Sequence, residues 1–174
     1  MYSYIFKQQK GKHIRQTIAV ALLLDTLSAN AQQQEKSQLR LTQQEISGLK
    51  AKAGNAPGSS NVSSVQEIVL AGDPSKQQLY TIVLKIPPHT TIPAHLHLDQ
   101  RMGTVISGTW YFGYGNKFDK SKLKKLPVGS MYSEVKNQNH FAMTGDEPLI
   151  VELNGYGPSG VTYVDPANDP QNHK

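Results

Sequence analysis

From residue 65 onward the chain alternates apolar and polar positions in short runs. In Leu79–Ile86 the residues Tyr80, Ile82, Leu84 and Ile86 share one face, because successive side chains of an extended chain point to opposite sides. Comparable runs occupy residues 65–70, 92–98, 102–107, 109–112, 131–135, 140–144, 149–154 and 161–164. Breakers separate them: Asp73-Pro74-Ser75, Pro87-Pro88, Gly108, Pro127-Val128-Gly129, Asn137-Gln138-Asn139, Gly145-Asp146-Glu147-Pro148 and the glycine-rich stretch 155–160. About nine short strands at regular spacing predict an all-β sandwich or barrel over residues 65–166, with 167–174 as a C-terminal tail. Residues 117–126, with five lysines, read as an exposed turn in which Asp119 caps one helical turn.

The pattern upstream is different. Residues 1–31 read as a signal peptide: Lys7, Lys10, Lys12 and Arg15 precede the apolar run Thr17-Ile18-Ala19-Val20-Ala21-Leu22-Leu23-Leu24, and Ala29-Asn30-Ala31 offers a small-x-small cleavage site after Ala31. The expectation is a periplasmic or secreted protein with no membrane association after cleavage, since the apolar run falls short of the ~20 residues that span a bilayer. Residues 32–64 form a polar arm. Thr42 and Glu45 make a capping box for a short helix carrying Ile46, and residues 53–64 read as a flexible linker without chemistry of its own.

Charge and composition remove several function classes. The formal net charge is +5, but the leader carries +3 of it, so residues 32–174 hold only +2 and no nucleic-acid partner is expected. The absence of cysteine excludes disulfides and thiolate metal sites. There is no glycine-rich phosphate loop and no serine-nucleophile elbow.

The candidate chemistry lies in Pro93-Ala94-His95-Leu96-His97-Leu98-Asp99-Gln100-Arg101. His95 and His97, two apart on a strand, face the same way, and two imidazoles on one face hold a divalent metal if a third ligand arrives from elsewhere. His140, on a later strand, is the candidate third. Taken alone, an H-x-H pair is equally compatible with an exposed face or a hydrogen-bonded core.

Together these features resemble the cupin superfamily, in the form of a small single-domain bacterial cupin with an RmlC-like jelly roll, also called a double-stranded β-helix. Its first motif is matched by Pro93, His95, His97 and Gly108, and its second by Pro127-Val128-Gly129 and Asn137-Gln138-Asn139-His140. The stretches Ser107-Gly108-Thr109-Trp110-Tyr111-Phe112-Gly113 and Tyr156-Gly157-Pro158-Ser159-Gly160 add to the likeness. The resemblance implies a metal site of His95, His97 and His140 that takes Zn, Fe, Ni, Cu or Mn, between which imidazole alone does not choose. At the position of the family's metal-binding glutamate stands Arg101, which cannot ligate; Gln100, a weak ligand, and Asp99 are the neighbouring oxygen donors. Asn137 stands where the second motif has glycine. Arg101 is a candidate clamp for a substrate carboxylate, and Tyr111, Tyr132 and Trp110 are candidate pocket residues. Glu134, Tyr132 and Glu152 are thin candidates for acid–base work.

Three readings follow. In one, a metal-dependent protein, dioxygenase-like or isomerase/lyase-like if an enzyme, acts on or binds a small polar or carboxylate molecule. In another, a non-catalytic cupin has lost its full ligand set and only binds a small ligand. A structural role for the metal or for a hydrogen-bond network is the third. A homodimer is expected in each, because exposed strand edges need cover.

Overall fold

The computed structural model describes residues 39–53 and 57–173, so the expected signal peptide lies outside the described residues. The chain divides into two units, Met1–Leu41 and Thr42–Lys174, and the fold below is that of the second. One short helix, α1 (Gln43–Gly48), leads into β1 (Lys52–Ala53), β2 (Gln66–Ala71), β3 (Leu79–Ile86), β4 (Thr91–His97), β5 (Arg101–Ser107), β6 (Trp110–Tyr114), β7 (Lys124–Leu126), β8 (Met131–Glu134), β9 (His140–Thr144), β10 (Leu149–Tyr156) and β11 (Val161–Tyr163). The strands pair antiparallel in a six-stranded sheet of order β1-β2-β3-β10-β5-β8 and a five-stranded sheet of order β11-β4-β9-β6-β7. This is an all-β jelly-roll barrel.

The alternation seen in the sequence is realised as packing. Tyr80, Ile82, Leu84 and Ile86 of β3 face inward, as do Leu149, Val151 and Leu153 of β10, and they meet Ile92, Trp110, Phe112 and Ala142 from the other sheet in one core. Non-directional burial of these faces is what drives the two sheets together. Gly103 faces inward on β5 because the Tyr132 ring lies across it: a Cβ at 103 would sit 2.3 Å from Tyr132 Cζ.

Local chemistry sets the turns. Asn137 adopts φ 59°, the left-handed conformation that asparagine tolerates better than most residues, so its turn does without a glycine. Thr42 and Glu45 form the capping box of α1: Thr42 Oγ1 accepts from Glu45 N at 3.2 Å, and Thr42 N donates to Glu45 Oε2 at 2.7 Å. The other end of α1 is capped from the sheet, where Lys85 Nζ donates to Ser47 O (2.6 Å) and Leu49 O (2.7 Å). Asp119 caps a 3-10 turn at Lys120–Lys122. Residues 58–61, read from composition as linker, are buried: Ser60 is 4% exposed, and Tyr163 donates its hydroxyl to Ser60 O at 2.5 Å. This segment is a strap laid against the barrel interior.

Candidate metal centre

The site begins with a fault in a strand. Against β9, the register of β4 runs Ile92↔Ala142 and then His95↔His140, so Pro93 and Ala94 together face the single intervening residue Phe141. Such a bulge leaves Pro93, which has no N–H, without a ladder bond to make. It also puts Ile92 and His95, three apart, on the same inward face, and regular alternation then adds His97. From β9 comes His140, which is directly opposite His95. The three imidazoles are 1–3% exposed, and each offers a ring nitrogen within 4.8 Å of the others.

Each ring is oriented by the same device. His95 Nδ1 donates to Pro93 O (2.7 Å), His97 Nδ1 to Gly160 O (2.9 Å) and His140 Nδ1 to Gln138 O (3.3 Å). A carbonyl oxygen only accepts, so each Nδ1 carries the hydrogen, and each neutral ring presents a bare Nε2 lone pair. Burial keeps the rings neutral. It pulls His95 down to about 3, with His140 adding to the effect; it pulls His140 down to about 4, with Arg101 adding; and it holds His97 well below the usual imidazole range. Three neutral imidazoles with their far nitrogens tied to carbonyls are the donor set and outer support that a divalent transition metal takes.

Arg101 and Glu134 complete the polar end of the cavity. They are Cα partners on β5 and β8 and both point inward. Arg101 Nε donates to Glu134 Oε2 at 2.8 Å, its Nη2 meets the same oxygen, and its Nη1 donates to Gly58 O of the strap. Burial works against the Arg101 charge, but Glu134, with Tyr80 and Asp99 behind it, outweighs that effect and raises its pKa. Tyr80 donates to Asp99 Oδ2 at 2.5 Å. Glu134 Oε2 lies 3.7 Å from His97 Nε2 and 3.7 Å from His140 Nε2.

The remaining walls are apolar: Leu84, Ile86, Ile92, Trp110, Phe112, Tyr132 and Ala142, with Ser60 of the strap closing one side. Phe112 stacks on His140 with centroids 5.2 Å apart, and Tyr132 packs on Phe112 at 4.6 Å. The free space left among these side chains is small, about 20 Å³, enough for a water-sized or ion-sized occupant, and it is only partly enclosed.

The sequence-derived candidates divide clearly. His95, His97, His140, Arg101, Tyr132 and Trp110 meet in this cavity. Gln100 does not: it is exposed on the rim of a surface groove with Lys136 and Tyr156, because the turn after β4 carries it out of the barrel. Tyr111 does not either, since alternation along β6 sends Trp110 and Phe112 inward and Tyr111 to the outer face, beside Gly145. Arg101 is no free clamp for a carboxylate, because Glu134 and Gly58 O already hold its guanidinium. Glu134, named from the sequence only as an acid–base candidate, is the residue whose place beside Arg101 and the histidines sequence reasoning missed. Its signal was available: an arginine on an inward position requires a buried counter-ion, and Glu134 is in phase with Tyr132 on the next strand of the sheet.

No protein-family model matches the chain, and no curated protein does. Solved structures do. The polyketide cyclase RemF from Streptomyces resistomycificus aligns with a TM-score of 0.57 at 16% identity, over 76% of this chain and 89% of that one. A sugar phosphate isomerase of the cupin superfamily from Silicibacter pomeroyi aligns at 0.53 and 13% identity, over 72% and 81%. An uncharacterised protein with a double-stranded β-helix domain from Klebsiella pneumoniae aligns at 0.51 and 22% identity, over 72% and 96%. Against a structure of DMSP lyases the chain spans 60% of the other protein's length, at a TM-score of 0.50. At these identities the likeness is one of fold.

Proposed function

We propose that this chain, which has the cupin fold, binds one divalent metal ion through the Nε2 atoms of His95, His97 and His140 and uses it to bind or transform a small polar or carboxylate-bearing molecule. The observation that supports the reading is the shared tautomer. All three Nδ1 atoms are tied to carbonyls, which leaves three buried rings with Nε2 lone pairs free for a shared ion, their ligand atoms within 4.8 Å of one another. A bound divalent ion would supply Lewis acidity and a water of lowered pKa. The chain's own contribution is a dry, shaped enclosure. Trp110, Phe112, Tyr132 and the aliphatic walls exclude solvent, and Arg101 holds Glu134 beside the histidines.

The free space among these side chains is small, about 20 Å³, and Ser60 of the strap lines one side of it, so displacement of the 58–61 strap would enlarge it. The small free space favours the second reading, a non-catalytic protein in which the occupant is only held. Elemental analysis of protein purified without a histidine tag separates metal-binding from metal-free readings: the expected result is about one metal per chain, lost in His95→Ala/His97→Ala. Metal-free wild-type protein that binds small carboxylates would favour the non-catalytic alternative.

Export and dimerisation belong to the same proposal. Cleavage after Ala31 is checked by the N-terminal sequence of the protein recovered from outside the cytoplasm. Dimerisation is supported by apolar side chains on the outer face of the six-stranded sheet, where Leu79, Met102, Met131 and Tyr156 are all more than 40% exposed. Light scattering is expected to give twice the chain mass, and a monomer at high concentration would count against it.

A further inference from the structure

The family's fourth protein ligand, a glutamate on β5, is replaced here by Arg101, which leaves the three histidines without a carboxylate from that strand. We infer that Glu134, delivered from β8 and held by Arg101, is the fourth metal ligand, so that the carboxylate has moved one strand across the sheet. The inference rests on the three-histidine reading and deepens it.

Three observations carry it. The first is register. Arg101 and Glu134 are Cα partners, so a carboxylate at 134 enters the barrel beside the place where one at 101 would enter. The second is separation. Glu134 Oε2 stands 3.7 Å from both His97 Nε2 and His140 Nε2. Two ligands about 2.0–2.2 Å from a common tetrahedral ion lie roughly 3.4 Å apart, so only a few tenths of an ångström separate this spacing from a coordinating one. The third is the sign of the facing groups. The Nδ1 bonds leave Nε2 of both rings as an acceptor, and a carboxylate oxygen is an acceptor too. Acceptors facing one another repel unless a positive species lies between them.

Arg101 fits this role. Its Nε and Nη2 take one side of Glu134 Oε2, and Gly58 O takes Nη1. A carboxylate oxygen has two lone-pair directions, so one oxygen serves the guanidinium on one side and an ion on the other. Arg101 is therefore a positioning residue: it orients the ligand through Nε and Nη2.

Co²⁺ is the probe, because its visible d–d bands report ligand type and geometry independently of any activity. Glu134→Gln alone strands a buried guanidinium and risks unfolding, so the informative variant is Glu134→Gln/Arg101→Met, with Arg101→Glu/Glu134→Val as the partner that returns the carboxylate to β5. The expected result is one Co²⁺ bound by wild-type protein, at least a tenfold weaker affinity with shifted d–d bands in Glu134→Gln/Arg101→Met, and recovery of affinity in Arg101→Glu/Glu134→Val. Wild-type affinity and spectrum in Glu134→Gln/Arg101→Met would overturn the assignment of Glu134 and leave the three histidines standing. Failure of wild-type protein to take up Co²⁺ would overturn both readings. If Glu134→Gln/Arg101→Met does not fold, affinity at or above wild type in Arg101→Glu/Glu134→Val supports the assignment, and absence of binding in that folded variant overturns it.

Discussion

Arg101 and Glu134 are 2% and 5% exposed, so neither charge is met by bulk water. Removing one partner of such a pair leaves the other buried and uncompensated, which costs about 3–5 kcal/mol, whereas replacing both with apolar side chains of similar size is often neutral. Glu134→Leu is therefore expected to lower the denaturant midpoint far more than Glu134→Leu/Arg101→Met does. Equal losses in the two variants would show that the pair contributes no more than its packing. A second buried carboxylate behaves differently. Glu67 is 2% exposed, both its oxygens lack a hydrogen-bond partner, and burial pushes its pKa up to about 7 although Arg101 pulls the other way. The folded protein thus keeps a proton that the unfolded chain releases above its ordinary value of 4.5. The stability this confers is complete below that value and is lost as pH rises through about 7, with a swing of about 3 kcal/mol at 1.36 kcal/mol per pH unit. Asp73 has the opposite sign. Its pKa is lowered to about 2, first by the Ser75 hydroxyl, so its contribution fades only in acid and does not overlap this window. Glu67→Gln is expected to flatten the fall in urea midpoint between pH 5 and pH 8 and to be more stable than wild type at pH 8. An unchanged slope would place the origin of the pH dependence elsewhere.

Among the elements, the strap at residues 58–61 lines one side of the cavity through Ser60, and it is tied down by Tyr163 to Ser60 O at 2.5 Å and by Arg101 to Gly58 O. Tyr163→Phe deletes the first while keeping the ring, at a cost of about 0.5–1.5 kcal/mol. The expected outcome is faster amide exchange at residues 58–61 with no change in the protection of β3 and β10; faster exchange throughout would mean that the strap and barrel open as one unit. Sequence reading placed most of the strands but not this strap, for a physical reason. Alternation is a local signal, so Leu79–Ile86 and His140–Thr144 were legible residue by residue, and so was the capping box at Thr42 and Glu45. A strap held by a residue 43 positions away leaves no local trace, and its Gly, Ser and Asn composition is that of a solvated linker. Likewise β7 was hidden because Lys124 and Lys125, exposed on an edge strand, resemble a charged loop. The site was half legible. The i, i+2 spacing placed His95 and His97 on one face, His140 on a later strand was the candidate third, and the resemblance implied the three as one site. The Arg101–Glu134 pairing depends on which strand neighbours β5, and a sequence does not show sheet order. Gln100 and Tyr111 were misplaced by a turn and by the phase of one strand.

For the molecule as a whole, metal binding and folding are linked, because an ion that binds the assembled site and not the unfolded chain stabilises the fold by mass action. At a free metal concentration of a hundred times Kd the gain is about 2.7 kcal/mol, which for a domain of this size raises Tm by roughly 10 °C. The chain also carries its own reporter. It has a single tryptophan, and Trp110 is buried in the wall of the same cavity as the three histidines. A paramagnetic ion held there lies close enough to quench the indole, while an ion on exposed carboxylates elsewhere on the surface does not share the cavity of Trp110. Titration with Co²⁺ or Cu²⁺ is expected to quench Trp110 emission to an end point near one ion per chain, with a parallel rise in Tm, and a chelator should reverse both. In His95→Ala/His97→Ala the quenching and the thermal shift should disappear together. If they persist there, the ion binds elsewhere; if Tm rises without quenching, it binds outside the barrel. In neither case would the histidines be the metal centre, although the jelly roll built by β2 to β11 would stand unaltered.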